Sequence, residues 1–176
     1  MNVTLVMVSS LNGKITSGDD SDIYHWTSAE DAKHFSSIIT KHNLIVMGSK
    51  TYEAAKRKIM LTDKILRIVM TGDPEKYSRD SVPGQLEFTN ETPESLVQKM
   101  EIMGFTELLL VGGGKINASF LQAKLVHVVL LTIEPVLFGS GNNLIADADI
   151  TADLKLIKMQ KLNGRGTLLL TYHVLP

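Results

Sequence analysis

Leu108-Leu109-Leu110-Val111-Gly112-Gly113-Gly114-Lys115 carries an apolar run straight into three glycines and then into a segment with helical spacing. A run of bulky apolar residues without polar alternation suits a strand covered on both faces, as in a parallel sheet. Glycine lets backbone N–H groups approach an anion closely, and a helix starting there turns its positive end to the same point. A diphosphate suits such a corner; a tight strand-to-helix turn without a ligand is the other reading. The segment matches neither G-x-G-x-x-G nor G-x-x-x-x-G-K-[ST], so general nucleotide-binding patterns leave it unassigned.

Similar apolar runs recur at Val3–Val8, Leu44–Met47, Ile65–Met70 and Val126–Ile133. Between them, Ser28–Thr40, Ser49–Lys58, Pro93–Met103 and Lys115–Ala123 have helical spacing and polar or glycine punctuation. Strands alternating with helices predict an α/β fold with a mostly parallel sheet. At the end, Leu154–Leu162 and Thr167–Leu175 flank Asn163-Gly164-Arg165-Gly166, which predicts an antiparallel C-terminal hairpin. No linker or repeat divides the chain, so residues 1–176 are expected to form one domain. The long loops Ser10–Tyr24 and Thr71–Gln85 follow strands, where open α/β sheets hold ligands.

Two further segments carry chemical groups. Val46-Met47-Gly48-Ser49-Lys50-Thr51-Tyr52 places glycine, hydroxyls and a cation at a second strand-to-helix corner, as phosphate oxygens require. Taken alone, Ser49 is equally a helix cap and Lys50 a solvated charge. In Trp26-Thr27-Ser28-Ala29-Glu30-Asp31-Ala32-Lys33-His34-Phe35, Thr27 or Ser28 caps a helix and sets Asp31 on the side of Phe35. A carboxyl partly desolvated by aromatic surface has a raised pKa and can orient or help protonate a ring nitrogen. Compensation of the helix dipole is the alternative role for the acid.

Composition narrows the classes. Eighteen lysines and arginines against nineteen acids leave a net charge of -1, without the basic excess expected of a nucleic-acid binder. The absence of cysteine removes disulfides, thiolate metal sites and cysteine nucleophiles, so redox work needs a bound cofactor. The five histidines show no metal-ligand spacing, and there is no G-x-S-x-G elbow. No apolar run is long enough for a membrane span, and Val3–Val8 reads as a strand, not a signal peptide. These features predict a cytoplasmic protein with small-molecule partners, no nucleic acid, no membrane and no metal.

Together these segments resemble the dihydrofolate reductase superfamily, and most of all the reductase domain of bacterial riboflavin biosynthesis, the C-terminal half of the deaminase-reductase. Ser10-Leu11-Asn12-Gly13-Lys14-Ile15 is similar to the family's S-L-D-G-K-I opening, with Asn12 for the aspartate. Trp26-x-x-x-x-Asp31-x-x-x-Phe35 and Val46-Met47-Gly48-Ser49-Lys50-Thr51-Tyr52-Glu53 resemble dihydrofolate reductase patterns, as does Gly112-Gly113-Gly114. Ile133-Glu134-Pro135-Val136-Leu137-Phe138-Gly139-Ser140-Gly141 resembles the riboflavin-type ending I-x-P-x-L-x-G-x-G.

The resemblance implies a three-layer dihydrofolate reductase-like fold and an NADPH-dependent reductase of a pyrimidine ribosylamino phosphate or similar heterocycle. Dihydrofolate reductase itself and a non-catalytic NADPH-binding module are the alternatives. It implies Gly48, Ser49, Lys50 and Thr51 near the NADPH phosphates, Lys50 also favouring the 2′-phosphate. Thr71 and Gly72 fall near the adenosine, and Gly112, Gly113, Gly114, Lys115 and Ile116 along the diphosphate. Val8, Ile15 and Trp26 line the nicotinamide and substrate pocket, with Asp31 and Thr132 meeting across it and Ser28, Phe35 and Lys64 toward substrate. It further implies a cis peptide at Gly112-Gly113 and a homodimer, with the C-terminal strands extending a sheet across a two-fold axis. The family's anion-binding arginines are absent: Ile38-Ile39 and Leu61-Thr62-Asp63-Lys64 stand in their segments, with Lys56, Arg57, Lys58 and Lys64 as substitutes and Arg67 nearby.

Overall fold

The computed structural model describes Met1–Pro176. Strands β1 (Asn2–Ser10), β2 (Leu44–Gly48), β3 (Leu66–Met70), β4 (Leu86–Thr89), β5 (Glu107–Leu110), β6 (Val128–Glu134), β7 (Leu154–Lys161) and β8 (Leu168–Val174) make one sheet. Their order is β4-β3-β2-β5-β1-β6-β8-β7. The first six pair in parallel, and β8 and β7 close the sheet antiparallel, as the alternation and the hairpin signal predict.

Helices α1 (Ala29–Ile39), α2 (Ser49–Ala55), α3 (Pro93–Ile102) and α4 (Gly114–Gln122) cover both faces. Ser28 is the cap of α1, its side chain accepting from the Asp31 N–H. Thr92 caps α3 in the same way, with Pro93 at the first position, where its missing N–H costs nothing. One face of the sheet packs Val3, Leu5, Val46, Ile68, Leu108 and Leu110 against Leu96 and Met100 of α3 and Phe120 of α4. The other packs Val6, Ile45, Met47, Val69 and Leu109 against Ile38 of α1 and Tyr52 of α2. Each fully buried large apolar side chain contributes roughly 1.5–3 kcal/mol, so the two layers hold the sheet from both sides.

Two expectations are corrected. The helix expected over Ser49–Lys58 stops at Ala55, because Lys56, Arg57 and Lys58 are exposed and have no apolar face to bury. Leu86–Thr89, outside the expected runs, adds β4 parallel to β3 at the edge. No helix is long and apolar enough to cross a membrane.

Candidate active site

The two glycine corners lie side by side. Val111 N–H donates to the Val46 carbonyl at 2.9 Å, and one step further Gly48 N–H donates to the Gly112 carbonyl at 2.8 Å. Gly112 has φ +85°, and a Cβ there would stand 2.6 Å from Met7 Sδ, so only glycine fits. A Cβ on Gly48 would stand 2.7 Å from Ile116 Cγ1, and one on Gly113 would stand 3.3 Å from Thr51 Oγ1 and 3.8 Å from Ile15 Cδ1. Gly48, Thr51, Ile15, Gly113 and Ile116 therefore share one small volume. The Gly112-Gly113 peptide is cis, as the resemblance implies. Lys50 and Lys115 are exposed, while Ser49 and Thr51 are half-buried.

Gly114 is glycine for another reason. The chain beyond β6 crosses this corner as a strap: a Cβ on Gly114 would collide with the Asn143 carbonyl, and Ala146 N–H donates to the Gly114 carbonyl at 3.0 Å. Asn117, fully buried on α4, donates to the Leu144 carbonyl at 2.8 Å and holds the strap down. The strap also ties to the loop after β1, through Ile15 N–H to Asn142 O at 2.8 Å and Leu144 N–H to Gly13 O at 2.9 Å.

Along the C-terminal edge of the sheet the expected residues fall in strand order. Thr71 and Gly72 follow β3, Gly48 ends β2 with Ser49–Thr51 beyond it, Gly112–Ile116 follow β5, Val8 lies near the end of β1 and Thr132 lies on β6. At the usual spacing of ~4.8 Å between strands, this row is about 19 Å long, the scale of an extended dinucleotide.

Val8 and Thr132 are cross-strand partners, so their side chains share the face covered by α1. Asp31 on α1 is buried there at 7% exposure. Burial pushes its carboxyl above the usual carboxylate range; the Thr132 hydroxyl pulls the other way and the Glu134 charge adds to the rise. Trp26, just before the helix, packs edge-on against Phe138 with ring centres 5.2 Å apart, and its indole N–H is buried without a partner. Phe35 packs against the α1-side core.

Lys64 is the one expected substrate contact that stands apart. It lies at the N-terminal edge of the sheet, in a cavity of about 330 Å³ with Asn43, Asp63, Glu87 and Phe105. Another open cavity, about 390 Å³, is lined by Gly18, Asp19, Ser140, Gly141 and Asn142, with Asp19 its one ionisable group.

Three polar residues were given no role by the sequence reading, though Arg67 was noted beside the anion-binding segment. Glu134, 1% exposed, accepts from the Ser28 N–H and from the Thr167 hydroxyl, both at 2.7 Å. Its signal was an acid at an inward position of a strand, two residues after Thr132. Arg67 on β3, 7% exposed, alternates with Leu66 and Ile68 and so faces the α1 side. Its one hydrogen bond is to the Ile65 carbonyl at 3.5 Å, and burial lowers its pKa. His34, one turn beyond Asp31, has a buried Nε2 without a partner, and burial lowers its pKa as well.

The architecture, with its cis glycine corner and a carboxyl-bearing first helix beside the parallel strands, is the dihydrofolate reductase-like fold. The sequence model of the RibD C-terminal domain matches residues 1–168, and the chain belongs to that family. It is 26% identical over 144 residues to the uncharacterized protein YwjB of Bacillus subtilis, covering 78% of each chain. A pyrimidine reductase-like protein of Corynebacterium diphtheriae shares the fold at TM-score 0.80 and 14% identity, over 99% of this chain and 92% of that one. So does a diaminohydroxyphosphoribosylaminopyrimidine deaminase/5-amino-6-(5-phosphoribosylamino)uracil reductase of Thermotoga maritima, at TM-score 0.77 and 17% identity. The match there covers 99% of this chain and 56% of that longer one.

Proposed function

We propose that this chain is a reductase that holds NADPH along the C-terminal edge of the sheet and reduces a C=N or sugar-imine bond in a pyrimidine- or pterin-like ring. The observation that carries the reading is the hydrogen bond from Gly48 to Gly112, which joins both glycine corners in one row with a buried, protonatable Asp31.

The residues present fit such a dinucleotide. Ser49 and Thr51 hydroxyls, the Gly113 backbone and the Lys50 and Lys115 ammonium groups answer phosphate oxygens, and Lys50 suits a 2′-phosphate. Thr71 and Gly72 border the adenosine end. Val8 and Ile15, both 9% exposed, offer apolar surface to the nicotinamide. Bound NADPH supplies a hydride, and the protein supplies orientation and the proton.

Burial disfavours the charged form of Asp31 and so favours a carboxyl that holds a proton, which it presents to a ring nitrogen. Thr132 fixes the carboxyl from the opposite wall. The unpaired Trp26 N–H donates to an acceptor on the heterocycle, while Ser28 and Phe35 bound the site at the start of α1. Arg67 serves an anionic substituent of the substrate better than Lys64 does, since it lies on the α1 face and is underpartnered.

The chain works as a homodimer in the cytoplasm in this reading, with β7 pairing a second copy. A panel following loss of NADPH absorbance tests the activity, with a diaminopyrimidine ribosylamino phosphate beside dihydrofolate. Turnover of the ribosylamino phosphate supports the reading. Turnover of dihydrofolate alone makes the chain a dihydrofolate reductase, and tight NADPH binding without turnover makes it a binding module. Absence of NADPH binding removes all three.

A further inference from the structure

Helix α1 begins Ser28-Ala29-Glu30-Asp31, the spacing of a capping box. In a closed box the cap hydroxyl accepts from the third N–H, and the third side chain accepts from the cap N–H. The first half is present: Asp31 N–H donates to Ser28 Oγ at 3.2 Å. The second half has been taken by a residue more than a hundred positions away, since Ser28 N–H donates to Glu134 Oε1 at 2.7 Å. The other Glu134 oxygen accepts from the Thr167 hydroxyl at 2.7 Å. Thr167 Oγ1 itself accepts from Asn163 Nδ2 at 2.9 Å, so its own proton is directed at Glu134. Both carboxylate oxygens thus receive protons from donors, which is the bonding of the charged form.

We propose that Glu134 is a positioning residue that replaces Asp31 in the capping box and thereby frees the Asp31 carboxyl to face Thr132 and the bound heterocycle. The proposal rests on the reading of Asp31 as the proton-holding group. Without Glu134, the Ser28 N–H is open and the nearest carboxyl able to close the box is Asp31. Turned back on its own helix, Asp31 gains a hydrogen bond to its charged form and the favourable field of the helix start, so it ionises as an ordinary cap. It also turns away from Thr132 on the facing wall. A buried carboxylate placed beside a second buried carboxyl works against ionisation of the second, which suits proton retention.

The groups around Asp31 come from several elements. Strand β6 brings Thr132 and Glu134. On α1 itself stand Glu30, which accepts from Asn163 Nδ2 at 3.1 Å, and His34. Beside Glu134, β1 brings Ser10, its cross-strand partner, and the start of β8 brings Thr167, neither of them charged.

The test is nuclear magnetic resonance titration of the ligand-free full chain, with ¹³C-carboxyl aspartate and ¹⁵N amides, in wild type, Glu134→Gln and Glu134→Ala. Glutamine keeps an acceptor for Ser28 but removes the charge, so the Asp31 midpoint falls while the Ser28 amide stays put. Alanine opens the box, so the Asp31 midpoint falls further and the Ser28 amide shift begins to follow the Asp31 titration. Turnover at neutral pH then drops about tenfold in kcat, with KM and the NADPH Kd within about twofold. An unchanged Asp31 midpoint and Ser28 amide in Glu134→Ala overturn the proposal, and if alanine prevents folding, Glu134→Leu, which likewise offers Ser28 no acceptor, decides in its place. Full activity in Asp31→Asn overturns instead the catalytic reading beneath it, so the two failures are distinguishable.

Discussion

The Gly48 N–H donates to the Gly112 carbonyl at 2.8 Å, so the corner after β2 and the corner after β5 are one structure, not two neighbouring turns. Gly48→Ala is therefore expected to act on both. Its Cβ would stand 2.7 Å from Ile116 Cγ1 and must push α4 outward. Overpacking of this kind costs about 1–3 kcal/mol, read as a lower urea midpoint. Fluorescence titration should show NADPH affinity weakened at least tenfold; unchanged affinity would detach the corners from cofactor binding.

Asp31→Asn has two expected signatures. Turnover falls on the order of a hundredfold at neutral pH, and the fall in wild-type rate as pH rises through the raised Asp31 pKa disappears. Stability moves the other way. Because the folded state raises this pKa above its ordinary 3.8, the proton stabilises the fold fully below that value, and the benefit is lost as pH climbs through the raised value. Calorimetry should find the asparagine variant more heat-stable than wild type at neutral pH and equal to it near pH 3.

Arg67→Met separates substrate anchoring from folding. The guanidinium is buried with a single long hydrogen bond, so its loss should leave the unfolding midpoint level or higher. KM for a phosphorylated substrate should rise at least about tenfold, while KM for its dephosphorylated analogue and the NADPH Kd hold steady. Equal effects on both substrates would remove the anchoring role.

The edge strand β7 is exposed along its whole length, with Leu154, Leu156, Ile157 and Met159 each 44–62% open. Lys155, Lys158 and Lys161 alternate with these side chains, but the backbone of the edge is uncovered and open to pairing with another strand. Sedimentation at micromolar concentration is expected to give a dimer, and Leu156→Glu with Met159→Glu a monomer of unchanged fold. A wild-type monomer would end this idea.

The sheet was legible because its central strands are unbroken apolar runs, a pattern that burial on both faces produces and little else does. Strand β4 was not, since the four residues Leu86–Thr89 are too few for a period to emerge. Asp31 could be read from its place after a cap and before Phe35. Glu134 could be marked only as an inward acid two residues after Thr132; its meaning lies in the Ser28 N–H it occupies, and no local spacing records a contact between α1 and β6. Lys64 was read from its place in Leu61-Thr62-Asp63-Lys64, the segment where the family carries an arginine. A segment match does not say which face a side chain takes, whereas strand alternation sends Arg67 to the α1 face.

The strap over Gly114 has a mechanical consequence. Gly13, Ile15 and Thr16 are bonded to Leu144 and Asn142, and Ala146 to Gly114, so the loop behind β1 and the cover of the third glycine are laced into one layer. In the proposed reading a dinucleotide would pass beneath both segments, so neither could part from it without straining the bonds that tie it to the other.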